Sequence, residues 1–196
     1  MEILILLFLI LLNGAFAMSE MAVVSSRKVR LQQWAEDGRK GAQTALALAK
    51  EPSNFLSTIQ VGITVIGVTM GAFGEAALSR DVAAWLARWP LFAEAAQPLG
   101  TAIVVICITL ASLIIGELVP KRLALLNPEA IASAVARPMR MLSALAYPVV
   151  RILSLATEGT LKLLRLREST EPPVTEDEIQ AMMEQGAEAG VFEEHE

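Results

Sequence analysis

The stretch Thr101-Ala-Ile-Val-Val-Ile-Cys-Ile-Thr-Leu-Ala-Ser-Leu-Ile-Ile-Gly-Glu-Leu-Val-Pro120 decides the fold. It is apolar over the roughly 20 residues that a helix needs to cross a bilayer, and Lys121 and Arg122 follow at once. Near its end stands Glu117. A carboxylate in such a segment costs on the order of 3 kcal/mol at a helix centre and less toward the interface. It normally faces the protein interior and serves an ion, a proton or a polar partner. Gly116 precedes it and Pro120 comes three residues later. Proline has no N–H and disturbs the turn before it, so backbone carbonyls are expected to be freed here. Together these residues predict a cation site within the membrane. For Glu117 alone, the alternative is an ion pair with a basic residue at the interface.

Two more apolar segments precede this one in sequence. The first covers about residues 3–24 and turns polar along its length, with Asn13, Gly14, Ser19, Glu20 and then Ser25. No basic residues precede it, which favours a span over a signal peptide. The second, about residues 55–78, follows Pro52-Ser53-Asn54 and contains Gly67 and Gly71 at the spacing that lets helices approach closely. With residues 99–119 this predicts an all-α membrane protein of three transmembrane helices. Six basic residues lie between the first two segments, two between the next two, and eight after the third. The positive-inside rule then puts the N-terminus outside and the C-terminus in the cytoplasm. Trp85 and Trp89 suit the outer interface.

Residues 128–167 carry Arg137, Arg140, Arg151, Glu158 and Lys162 among apolar residues, with Pro138 and Pro148 as breaks. They read as two or three amphipathic helices forming a juxtamembrane belt on the cytoplasmic surface. A fourth span through residues 141–155 is the weaker alternative. From Glu168 onward there are ten Asp or Glu and no Lys or Arg, so residues 1–167 carry about +5. In this tail a Pro-rich linker leads to Thr175-Glu-Asp-Glu178, a capping box that opens a short acidic helix. The acidic pattern runs to Glu196, and further cytosolic domains are expected beyond it. The divisions are therefore 1–127, 128–167 and 168–196. The single cysteine, Cys107, excludes an internal disulfide framework and reads as a small buried residue of the third helix.

Glu20 stands seven residues before Arg27, and Glu117 four before Lys121. At 1.5 Å per residue, both carboxylates fall roughly 6–10 Å from the basic boundary. Ser19, Ser25, Gln60 and Thr64 reach comparable or deeper levels, and Asn13 lies further out. These are oxygen donors only; the one histidine, His195, is in the tail. Such a donor set suits hard cations such as Mg²⁺, Ca²⁺, Mn²⁺ or Na⁺. Ser or Thr in a membrane helix often does no more than bond to the carbonyl four residues back. No nucleophile, acid/base pair or phosphate loop points to an enzyme, and no nucleic-acid partner is expected.

Three passages together carry a family resemblance: Asn13-Gly-Ala-Phe-Ala-Met-Ser-Glu-Met-Ala22 with Ser25 after it, Leu56-Ser-Thr-Ile-Gln-Val-Gly-Ile-Thr64, and Ile115-Gly-Glu-Leu-Val-Pro-Lys121. In this order they resemble the membrane domain of the CorC/CNNM (cyclin M) family of Mg²⁺ transporters. The tail from Thr175 to Phe192 is similar to the acidic helical segment that precedes that family's paired CBS domains. The resemblance implies a homodimer in the plasma membrane and a Mg²⁺ site between the helices of each protomer. It also implies export of Mg²⁺, with Na⁺ as the candidate coupling ion. CBS domains that bind ATP are implied beyond this chain. The candidate metal ligands are Ser19, Ser25, Gly116 and Glu117, with Asn13 and Gln60 as further ligands. A rival from another class is a membrane anchor that does not transport and only tethers cytosolic regulatory domains.

Overall fold

The computed structural model describes residues 1–164 and Met183, and among these the regular structure is helical throughout. The helices are α1 (Glu2–Ser25), α2 (Lys28–Glu36), α3 (Ala42–Lys50), α4 (Ser53–Leu86), α5 (Ala96–Leu113), α6 (Val119–Leu126) and α7 (Pro128–Leu163). A π-helical turn, Ile114–Leu118, joins α5 to α6. The expected linker and acidic helix of the tail lie outside the described residues. Residues 1–154 form one compact unit. The second unit begins at Leu155, and its described part contains the end of α7.

Helix α1 follows from a largely apolar run that turns polar at Asn13, Ser19 and Glu20, and it stops where Ser26 turns extended and donates its hydroxyl to the Val23 carbonyl at 2.8 Å. The basic loop expected after it is in fact two short helices. Gly38 (φ 73°) and Gly41 (φ 84°) supply the left-handed backbone between them. Along α3, Ala42, Ala45 and Ala49 are buried. That spacing marks one helix face, and small side chains on it allow close approach. Gly41 sits so tightly on the Ser133 carbonyl of α7 that no side chain fits there.

The main core lies where α1 to α4, α6 and the start of α7 meet. It is built from Phe16, Val23, Leu31, Phe55, Ile59, Ala124, Ala132 and Ala136 with their neighbours. Phe55 and Leu31 are almost wholly enclosed, and each such side chain contributes about 1.5–3 kcal/mol relative to exposure. A second cluster, Leu6, Ile10 and Met70, joins α1 to α4 further along the bundle. Gly100 lets α5 approach the Ala83 backbone of α4.

Four stretches among the described residues are long and apolar enough to cross a membrane: α1, α4, the run from Ala96 to Leu126, and α7. That is one more than the three spans expected. Helix α7 is also a single helix of 36 residues, not two or three, and runs straight through Pro138 and Pro148. Each proline deprives the carbonyl four residues back of its donor. Those carbonyls belong to Ala134 and Ala144, which are exposed, so the helix continues without burying an unpaired group. Cys107 is exposed on α5, against the expectation that it is buried. Helix α5 is apolar all round, so sequence does not mark which side faces inward.

Candidate cation site

Pro120 organises the site. It has no N–H to give the carbonyl of Gly116, its natural partner in an α-helix. The chain shifts register instead: the Val119 N–H reaches back five residues to Ile114, the signature of a π-turn. The Gly116 carbonyl is left for another helix, and Asn13 of α1 takes it, donating from Nδ2 at 2.9 Å. Close approach makes this possible. A side chain on Gly14 would meet Pro120 and the Ile115 carbonyl, and one on Gly116 would meet the Ile10 carbonyl and Asn13.

Asn13 is only 5% exposed, and its other amide atom, Oδ1, has no hydrogen-bond partner. The amide orientation follows from chemistry, since only its NH₂ end can meet a carbonyl. A buried acceptor without a donor costs about 1–3 kcal/mol, so this oxygen has room for a hydrogen-bond donor or a cation.

Two carboxylates from different elements converge on one ammonium. Lys121 Nζ lies 2.8 Å from Glu117 Oε1 and 3.8 Å from Glu20 Oε2. The side chains of Lys121 and Glu20 are each 27% exposed, and that of Glu117 is 43% exposed. Glu117 also borders a pocket of about 240 Å³, which Thr109 and Ser112 of α5 and Gly67 and Gly71 of α4 line as well.

Of the expected ligands the structure joins Asn13 to the Gly116 carbonyl, and Glu117 is the next residue along the chain. The structure adds Glu20 and Lys121. Ser19 is buried one residue before Glu20, and its hydroxyl donates to its own helix at Ala15 (2.6 Å). Ser25 lies roughly 18 Å along α1 from Asn13 and lines a different pocket, so one ion cannot touch both. Gln60 is exposed on α4, and its backbone carbonyl accepts from Thr64. The contact of Lys121 with Glu117 is the ion pair with a basic interfacial residue that the sequence offers as the alternative for Glu117, and the i,i+4 spacing is its signal. Among the described residues no three His, Cys, Asp or Glu side chains form a cluster able to hold a metal. A cation here would meet at most two carboxylates, with neutral oxygens completing its shell.

The pattern described as the cyclin M transmembrane N-terminal domain matches residues 4–196. The chain belongs to the cyclin M (CNNM) transmembrane-domain family. This CNNM domain is 45% identical over 196 residues to a UPF0053 protein of Synechocystis, covering all of this chain and 44% of that protein. It is 30% identical over 197 residues to a polyamine export protein of Escherichia coli K12, again covering all of this chain and 44% of the relative. A chloroplastic DUF21 domain-containing protein of Arabidopsis thaliana is 31% identical over 193 residues, 98% of this chain and 27% of its own. The CNNM domain thus spans less than half the length of these curated relatives. Family and helices together make it a multi-pass membrane domain.

Proposed function

We propose that this CNNM domain exports Mg²⁺, with Na⁺ as the coupling ion, past two groups of oxygens: Asn13 with the Gly116 carbonyl, and Glu117 with Glu20, which stands roughly 10 Å along α1 from Asn13. The observation that carries this reading is the orphaned, buried Asn13 Oδ1 beside a carbonyl that proline has released from its helix. Glu117 supplies the principal charge and Glu20 a second. The Gly116 carbonyl keeps one lone pair after accepting from Asn13. Lys121 is the resident counter-ion. An arriving cation must displace its ammonium from the two carboxylates, and the flexible four-carbon stem lets it move aside. With so few protein ligands, Mg²⁺ keeps part of its water shell.

In this reading α1, α4 and the run from Ala96 to Leu126 are the three spans of residues 1–127. Helix α7 then lies along the cytoplasmic surface of the plasma membrane. Arg137, Arg140 and Arg151, which would be expensive within a bilayer, support that placement. The N-terminus is outside, the domain works as a homodimer, and residues 168–196 lead toward cytosolic regulatory domains.

One observation favours a second cargo. The carboxylate pair already holds a primary ammonium, that of Lys121, and relatives are named polyamine export proteins. An alkylammonium chain would replace Lys121 with like chemistry. The anchor reading predicts binding of neither. Titration calorimetry of the purified chain with MgCl₂ and separately with spermidine tests all three. We expect Mg²⁺ heats for wild type that vanish in Glu117→Ala at equal thermal stability. Heats with spermidine alone would reassign the cargo. No heat with either, or equal heats in the variant, would defeat the site.

A further inference from the structure

Away from the cation site, a pocket of about 380 Å³ opens among Ser25 at the end of α1, Arg27 and Arg30 at the start of α2, Leu125 and Leu126 at the end of α6, and Pro128 and Glu129 at the start of α7. Two membrane-length stretches, α1 and the run ending at Leu126, stop here. The pocket therefore sits where hydrocarbon gives way to head groups. Its chemistry is split in the same way. Arg27 and Arg30 line one part, and Leu125 and Leu126, both exposed, line another.

The basic part is held in place. Glu129 is 3% exposed and accepts from the Arg27 backbone N–H at 3.2 Å and from Arg30 Nη1 at 3.4 Å. The Arg30 guanidinium also lies 5.5 Å from the centre of the Trp34 ring, which carries Arg39 at 4.3 Å. Glu129 thus neutralises one guanidinium while fixing its direction. Arg27 offers Glu129 only its backbone, and among the described residues no carboxylate pairs its guanidinium. A guanidinium has five N–H donors in a fork that matches phosphate. One long bond to Glu129 leaves Arg30 donors free as well.

The geometry points to a binding site for the phosphate of an anionic phospholipid, with its headgroup in the pocket and its acyl chains over Leu126 and the exposed Val24 and Val29 nearby in sequence. The volume suits a headgroup and not a whole lipid. Apolar side chains beside the arginines favour a lipid over a soluble phosphate. Occupancy would tie α1, α2, α6 and α7 together at one membrane face.

The clean variant is Arg27→Gln. It removes the free guanidinium and keeps the backbone bond to Glu129. Arg30→Gln would leave a buried carboxylate unpaired and confuse binding with folding. The purified chain is titrated in detergent with phosphatidylglycerol, phosphatidylcholine, glycerol phosphate and inorganic phosphate, following thermal stability and lipid retention by native mass spectrometry. We expect phosphatidylglycerol to raise the melting temperature of wild type. Arg27→Gln should have the same lipid-free melting temperature and bind phosphatidylglycerol about fivefold more weakly. An equal response to phosphatidylcholine, an unaltered response in Arg27→Gln, or an equal response to inorganic phosphate or glycerol phosphate would overturn the assignment.

Discussion

Replacing Lys121 by Met should tighten divalent-cation binding. In the resting structure its ammonium lies 2.8 Å from Glu117 Oε1. A metal bound to the other face of that carboxylate at about 2.1 Å would sit about 5 Å from the ammonium if the lysine stayed. The repulsion between a divalent ion and a unit charge at that distance is about 1.7 kcal/mol even at the dielectric of water, a factor of more than tenfold. If the lysine instead moves away, binding must break its contacts with Glu117 and Glu20. For partly exposed pairs these are worth about 0.2–1 kcal/mol each. Removing the ammonium therefore tightens binding by about eighteenfold on the first route and by about twofold to thirtyfold on the second. The distance is inside the Debye length at 0.1 M salt, roughly 10 Å, so ordinary buffers do not erase the effect. Titration calorimetry with Mg²⁺ on wild type, Lys121→Met and Lys121→Arg reads it directly. The arginine variant should stay close to wild type because it keeps the charge. Unchanged or weaker Mg²⁺ binding in a folded Lys121→Met would refute the idea that Lys121 competes with the cargo and leave it as a latch between α1 and α6.

Three further outcomes follow from the same geometry. Asn13→Leu strands the buried Gly116 carbonyl and should lower stability by about 1–3 kcal/mol, measured as a fall in melting temperature, with loss of Mg²⁺ heat. Pro120→Ala restores the N–H that Gly116 lacks; the π-turn should relax to α-helical register and cation binding should fall with no loss of thermal stability. Gly41→Ala forces a side chain onto the Ser133 carbonyl at a positive φ, so it should destabilise by more than about 1 kcal/mol, while the surface variant Gln43→Ala should not.

Much of the site could be read from the chain because local chemistry dictated it. Pro120 removes one donor wherever it sits in a helix, so a freed carbonyl beside Glu117 followed from sequence alone. The partner of that carbonyl did not. Asn13 is 103 residues away, and only packing through Gly14 and Gly116 brings it there. Gln60 stands exposed on α4; this helix mixes glycine and apolar residues on every side, so its inward face carries no mark in sequence. Ser25 stands beside basic residues at the depth of Glu20 and Glu117, yet its distance along α1 separates it from Asn13. The helices α2 and α3 were hidden in a polar, basic loop, although the spacing of Ala42, Ala45 and Ala49 was a usable signal. Glu129 carried no mark beyond its place just after Pro128, and its burial depends on α2 packing against α7.

The most direct measurement is Mg²⁺ efflux from liposomes that contain the purified chain and a trapped fluorescent indicator, run with and without an inward Na⁺ gradient. Wild type should release Mg²⁺ and do so faster with the gradient, whereas Glu117→Gln, inserted to the same level and melting at the same temperature, should leak no faster than empty liposomes. Release by Glu117→Gln at the wild-type rate would contradict a transport path through this carboxylate.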